Sequence, residues 1–320
     1  MGLWFARAWL ALALCLAHGL ASAQPYPNKP ITIIVPFPPA TASDLIARIL
    51  ATELTQSMGQ PVLVQNRPGG NSAIGAGAVA SAPGDGYTLL LATAGTVALP
   101  ALVKSLGFDP LKDFTPITML SRFALFLYIH PEVPVSNLAE LFEYARANPG
   151  KLNYATGNPV GITASAQMLA LAGNLKMVHV PYRGEPAALL DLVANRVQWM
   201  FSTPSSGDSF AKSGKLKVLV TNLPQRAPFA PDVPSVNELL PRFSVTAWAG
   251  LMGPRGMPKD VTERLAREVA AAMARPQVKE KFDQLQFLAQ ASTPDEFNAF
   301  FKDQVELYSR LLREAGVQPE

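Results

Sequence analysis

The sequence predicts an α/β protein of two lobes joined by a hinge, and three observations lead there. Short apolar strands alternate with helices along most of the chain, as sheets covered on both faces require. Turns of small and polar residues return at strand ends around Thr41, Thr93 and Gly157. The alternation breaks near residues 117–129 and again near 244–252, as it must where a chain passes from one lobe to the other and back. A helical tail then returns to the first lobe.

Ile31 to Val35, Ile-Thr-Ile-Ile-Val, reads as a strand buried on both faces. Pro36, Pro38 and Pro39 end it, because proline has no N–H for a sheet ladder. A helix follows to Met58. Thr41 or Ser43 can cap it, Asp44 lies in its first turn where the macrodipole favours an anion, and Leu45, Ile49 and Leu50 form its inward stripe. With Asp44 spent on capping, the N–H groups of Ala40 to Ser43 are expected to face the space beyond the strand, where an open α/β sheet holds a small anion. Val62 to Gln65 is the next strand, Asn66 to Gly70 a turn, and Ala73 to Ala82 a helix of small residues. Pro83-Gly84-Asp85-Gly86 turns the chain into strand Tyr87 to Ala92, which ends in the polar turn Thr93 to Thr96. Ile117 to Leu120 and Ala124 to Ile129 follow with no helix between them and mark the first passage.

The second series opens with a helix from Asn137 to Ala147, then strand Leu152 to Ala155 and the turn Thr156 to Thr163. A helix to Leu171, strand Met177 to Val180, the turn Pro181 to Gly184 and a helix to Ala194 continue it. Strand Val197 to Phe201, the turn Ser202 to Ser206 and strand Leu216 to Thr221 complete it. Pro224 to Pro241 reads as a surface loop and Ser244 to Met252 as the return passage. Val261, Leu265, Val269 and Met273 recur at helical spacing, and Thr293-Pro294-Asp295-Glu296 is a capping box opening a last helix to about Glu314.

A chain of 320 residues with 49% hydrophobic content can bury two ordinary cores. Its 27 basic and 24 acidic residues form no long basic run, which argues against nucleic acid or an anionic bilayer as partner. Met1 to Ala23 has the features of an export leader: Arg7, the apolar run Ala8 to Leu16, too short to span a bilayer, and a small-residue cleavage site at Ala21-Ser22-Ala23. The mature chain is expected to begin at Gln24, after Sec export to a bacterial periplasm. Cys15, the one cysteine, lies inside that leader, so disulfides, thiol catalysis and cysteine metal sites are not expected. His130 and His179 have no ligand spacing around them, and no metal site is expected. There is no Gly-x-Ser-x-Gly and no histidine after Ser205-Ser206-Gly207, so no enzyme and no cofactor is read. Arg67 and Arg183 sit at turns and could either fork onto a carboxylate or stay solvated surface charges, and of Phe37, Tyr154, Tyr182 and Trp248, at strand ends or passages, one or two are expected to line a cleft.

A series of short motifs stands in one order: Tyr26-Pro27-x-Lys29-Pro30-Ile31, Val35-Pro36-Phe37-Pro38-Pro39, Asn66-Arg67-Pro68-Gly69, Asp85-Gly86-Tyr87-Thr88-Leu89-Leu90, Pro149-Gly150-Lys151-Leu152-Asn153-Tyr154, and His179-Val180-Pro181-Tyr182-Arg183-Gly184. With these the chain resembles the Bug family, periplasmic solute-binding proteins of tripartite tricarboxylate transporters, from about residue 26 to its end. The resemblance implies a two-lobed periplasmic-binding-protein fold, a Venus flytrap of type II-like layout with two interlobe passages. It implies a monomer that binds a small carboxylate in the cleft through backbone N–H groups and waters, then delivers it to a membrane permease. A sensor subunit that presents its loaded form to a histidine kinase is the alternative. The divisions are residues 1–23 as signal peptide, 24–122 as the first part of lobe 1, 123–245 as lobe 2, and 246–320 as return passage and helices completing lobe 1. Carried over by motif, the ligand contacts are Phe37, Thr41, Ala42, Ser43, Asp44 as cap, Thr93, Ala94, Gly95 and Thr96 in lobe 1. In lobe 2 they are Thr156, Gly157, Asn158, Thr163, Tyr182, Arg183, Gly184 and Ser202. Two positions depart from the family pattern. Ala40-Thr41 stands where Gly-Gly is usual, and Ser202 stands where an Asp is usual, which removes a carboxylate that could pair with a ligand ammonium. A simple or aromatic acid is therefore expected over an amino acid.

Overall fold

The structure is a computed structural model that describes residues 26–319; the leader and its cleavage site lie outside the described residues. The first lobe is built on a six-stranded sheet. Next to one edge of it, β1 (Ile31–Val35) pairs in parallel with the edge strand β2 (Val62–Asn66) on one side and β3 (Thr88–Thr93) on the other. Ile31, Ile33, Ile34 and Val35 are all buried, which is why this strand carries no polar alternation beyond Thr32. Beyond β3 the sheet turns antiparallel, with β10 (Ala247–Pro254), β4 (Phe114–Phe123) and the edge strand β11 (Phe287–Ala289). The stretch expected as the return passage is therefore mostly β10, set between β3 and β4. Strand β11 has three residues of which only Phe287 is buried, too short for a periodicity to be legible.

The second sheet has five strands: β5 (Phe126–Ile129), β6 (Asn153–Thr156), β7 (Val178–Pro181), β8 (Trp199–Ser202) and β9 (Lys217–Thr221). Strand β6 runs parallel to β7 and β8, and β5 runs antiparallel to β8 and β9. The outward passage is only Ala124 and Leu125, between β4 in one sheet and β5 in the other. The return runs through residues 222–246. Asn222, 2% exposed, ties the two together. Its Oδ1 accepts from the Leu125 amide at 2.6 Å, its own N–H donates to the Leu125 carbonyl at 2.9 Å, and its Nδ2 donates to the Val245 carbonyl at 3.1 Å.

Helices cover the first sheet: α1 (Ala42–Met58), α2 (Ala73–Ala80) and α3 (Ala94–Leu102) follow the parallel strands. In the second lobe come α4 (Leu138–Ala147), α5 (Pro159–Leu171), α6 (Glu185–Val193) and α7 (Pro204–Lys212). Where a turn at Ser202 to Ser206 was expected, the chain enters α7, with Thr203 as N-cap and Pro204 pre-set for the first helical position. Its nine residues are mostly polar, and only Pro204 and Gly207 are buried, so no apolar stripe announces it. The tail is α8 (Lys259–Ala274), α9 (Pro276–Gln284) and α10 (Pro294–Glu314). The Thr293 and Glu296 capping box forms as read. Trp248 is wholly buried, edge-on to Phe297, Phe300 and Phe301 of α10, so it anchors the tail instead of lining a cleft.

Candidate functional site

The turn after β1 is held by Asp44, 2% exposed. Its carboxylate accepts from the Ala40 amide, the Arg48 Nε and the Asn66 Nδ2, each at 2.9 Å. Burial alone would raise this carboxyl; the bonds from Arg48, Asn66 and Ala40 outweigh it and hold it below the usual carboxylate range. The N–H of Ala40, expected to be free for a ligand, is thus consumed. Ala40 sits at φ 63, a left-handed conformation that the family's usual glycine would adopt without strain. Thr41 is the N-cap residue of α1 but its side chain does not cap; its hydroxyl donates to the Pro38 carbonyl at 2.9 Å. The first N–H groups of α1, at Ala42 and Ser43, stay at the helix end without side-chain caps.

The other turns are closed by their own side chains. Thr93 accepts from the Gly95 amide at 3.0 Å, and Thr96 reaches back to the Thr93 amide at 3.1 Å. Asn158 accepts from the Gly161 amide at 2.8 Å, and the Thr163 hydroxyl donates to the Pro159 carbonyl at 2.9 Å inside α5. Thr156 Oγ1 lies 2.7 Å from His179 Nε2. The Tyr182 hydroxyl donates to Asp191 at 2.7 Å, so its ring and not its hydroxyl is available nearby.

These turns meet between the lobes around an inner cavity of about 40 Å³. Phe37, Pro38, Thr41, Ala42, Ser43 and Thr93 line it from the first lobe. Phe123 at the end of β4 and Leu125 of the outward passage line it between the lobes, and Gly157, Asn158, Val160, Glu185 and Thr203 line it from the second lobe. The N-termini of α1, α3, α5, α6 and α7 converge there, bringing positive dipole ends to a site whose lining has no Lys, Arg or His. An outer chamber of about 560 Å³ shares Phe37, Pro38, Gly157 and Asn158 with it and adds Gly69, Gly70, Asn71 and Ser72 on one side, Tyr182 and Arg183 on the other. Arg183 is the one charged residue of that lining and forms no ion pair among the described residues. Ser72 is 3% exposed and its hydroxyl has no partner.

Of the residues expected to bind, Phe37, Thr41, Ala42, Ser43, Thr93, Gly157 and Asn158 line the inner cavity, and Tyr182 and Arg183 line the outer chamber. Asp44, Ala94, Gly95, Thr96, Thr156, Thr163, Gly184 and Ser202 line neither and act behind it, as caps and packing. Tyr154 stacks between His179 and Trp199, away from the cleft. Sequence reasoning missed Glu185 and Thr203. The first stands one residue past the Tyr182-Arg183-Gly184 turn, and the second one residue past Ser202. Ser202 is not a vacancy where a carboxylate is missing: its hydroxyl donates to the carboxyl of Glu185, which lines the cavity at the start of α6. The Thr203 amide donates to the same oxygen at 2.6 Å.

A family model described as tripartite tricarboxylate transporter family receptor matches residues 46–317. The chain is 32% identical over 303 residues to the protein BugT of Bordetella pertussis (strain Tohama I), covering 93% of this chain and 92% of that one. Among solved structures, Rpa4515 of R. palustris with adipate superposes at a TM-score of 0.87 with 26% identity, covering 92% of this chain and all of the other. The periplasmic binding protein BugD gives 0.85 with 30% identity over 92% of this chain and all of the other. MatC of Rhodopseudomonas palustris with bound malate gives 0.83 with 29% identity over 90% of this chain and all of the other.

Proposed function

The chain belongs to the tripartite tricarboxylate transporter receptor family, the Bug proteins among them, and on that premise we propose that it captures a small dicarboxylate between its lobes and hands it to the membrane subunits of a transporter. It is a solute-binding receptor, not an enzyme. The observation that carries the reading is the inner cavity itself, at which five helix N-termini meet without a basic side chain. Such a site favours one compact anion held by neutral donors, each charge-assisted bond contributing about 1.5–3 kcal/mol. The outer chamber, with Arg183 in its wall, suits the second, more solvated carboxylate of an elongated acid. Adipate and malate, the acids bound by the two R. palustris proteins, are of that kind. The leader places the protein in the periplasm, processed to begin at Gln24.

The test uses protein recovered from the periplasm, with Gln24 confirmed as first residue, in a thermal-shift screen of mono- and dicarboxylic acids and amino acids. A dicarboxylate at a hundred times its Kd should stabilise the fold by about 2.7 kcal/mol. Arg183→Ala should weaken a dicarboxylate by up to about tenfold, or 1.4 kcal/mol, and leave a monocarboxylate nearly unaffected. Equal loss for both would move Arg183 to the inner carboxylate. Stabilisation by amino acids alone would overturn the dicarboxylate reading.

A further inference from the structure

Glu185 is a carboxyl where an anion is to bind. It opens α6, is 4% exposed, and is the one ionisable residue in the lining of the inner cavity. Its two oxygens differ. Oε1 accepts from the Ser202 hydroxyl and from the Thr203 amide at 2.6 Å, with the Thr203 hydroxyl at 3.3 Å. Oε2 accepts from no group among the described residues and is the oxygen left for whatever occupies the cavity that Glu185 lines.

Resting on the reading above, we propose that Glu185 is a specificity-determining residue that carries a proton into the loaded site: its Oε2–H donates to the carboxylate of the bound acid, and capture of the anion is coupled to one proton. Two carboxylates side by side in a small cavity without a cation repel one another, so one proton between them is the stable arrangement. Oε1 is committed as an acceptor, which leaves Oε2 to hold the proton and aims it at the ligand. Burial pushes the Glu185 carboxyl up, ahead of the bonds from Ser202 and Thr203 that pull it down. The opposite occupant, a ligand ammonium paired with ionised Glu185, would lie against the positive ends of five helices.

The charged and titratable neighbours are otherwise engaged. Asp44 is tied to Arg48 at 2.9 Å beneath α1. The Tyr128 hydroxyl donates to Asp208 at 2.7 Å behind α7. Arg183 opens on the outer chamber, and His179, on β7, meets Thr156 at 2.7 Å. The test compares the protein with Glu185→Gln, which keeps the shape and the acceptor for Ser202 and removes the proton equilibrium.

Calorimetry with adipate and malate runs from about pH 6.5, where both acids are fully ionised, to about pH 9. The expected result is an affinity that falls towards about tenfold per pH unit once free Glu185 ionises, with one proton taken up on binding there, measured in two buffers of different ionisation heat. Glu185→Gln should bind with pH-independent affinity and no proton uptake. If the wild-type affinity is flat, or the fall persists in Glu185→Gln, the coupling is overturned while the carboxylate reading stands. Binding that tightens as pH rises assigns Glu185 to a ligand cation and overturns it as well. Failure of both acids and of every other acid screened to bind the wild type overturns the inference together with the reading it rests on.

Discussion

At the scale of single residues, the first turn shows how one carboxylate can set a site without touching its contents. Asp44 gathers the Ala40 amide, Arg48 and Asn66 into one knot beneath α1. This pins the end of β2 to the turn after β1 and leaves the Ala42 and Ser43 end of the helix facing the cavity. Because its carboxyl is held below the ordinary range, the folded state carries fewer protons there than the unfolded chain between the two values. The stability it contributes is therefore complete above the ordinary carboxylate pKa and is lost as pH falls through the lowered one. Asp44→Asn should lower stability at neutral pH by about 1–3 kcal/mol, since an amide nitrogen cannot accept from Arg48 or Ala40. Its acid unfolding should also be flatter than that of the wild type. Urea titrations at several pH values read both, and an acid limb identical in the two proteins would remove Asp44 from this role.

At the scale of elements, the passages matter most. Two residues link β4 to β5, and Asn222 joins that short link to the returning chain at Leu125 and Val245. A hinge built this way is a bonded pair of segments that bends together, because separating them would strand buried backbone groups. Asn222→Ala should lower stability by on the order of 2 kcal/mol through the unpaired Leu125 amide and Val245 carbonyl. It should also speed amide hydrogen exchange at Leu125 relative to the core of either sheet. Unchanged exchange at Leu125 would mean that the passages are held by strand packing alone.

At the scale of the whole molecule, the lobes stand in contact across the cleft. A Cβ built on Gly184 lies 2.9 Å from the Pro38 ring of the other lobe, and Gln286 donates to Asp208 across the far side at 3.2 Å. Ligand and closure are then one equilibrium: an acid that touches both lobes favours the state in which they meet. Gly184→Ala is a probe of that state. The backbone at Gly184 is extended, φ 167, so alanine introduces no strain of its own and acts only through the clash with Pro38. Small-angle scattering should show ligand reducing the radius of gyration of the wild type. For Gly184→Ala, which should keep the wild-type circular dichroism, the reduction should be smaller and the affinity at least about tenfold lower, or 1.4 kcal/mol. Equal compaction and affinity in both proteins would place ligand capture in a cleft that does not move.

The sequence by itself determined the elements and their caps. Ile31 to Val35, the proline stop after it, and the Asn137 and Thr293 caps are written within a few residues of one another, and local sterics and hydrogen bonding read them the same way in any fold. The motif order also determined that the polar turns belong to one cleft, and Phe37, Thr41, Ser43, Thr93, Gly157 and Asn158 meet there. Helix α7 and strand β11 were not legible, because one has almost no buried face and the other has three residues. Only the tertiary structure decided which groups are free. Whether the Ala40 amide faces a ligand depends on Asp44 and Asn66, 22 residues apart. Whether position 202 lacks a carboxylate depends on Glu185, which approaches Ser202, at the end of β8, from α6. Hydrogen bonds between residues distant in sequence leave no period and no local signal, so the chemistry of this cavity is fixed by packing and not by any one stretch of the chain.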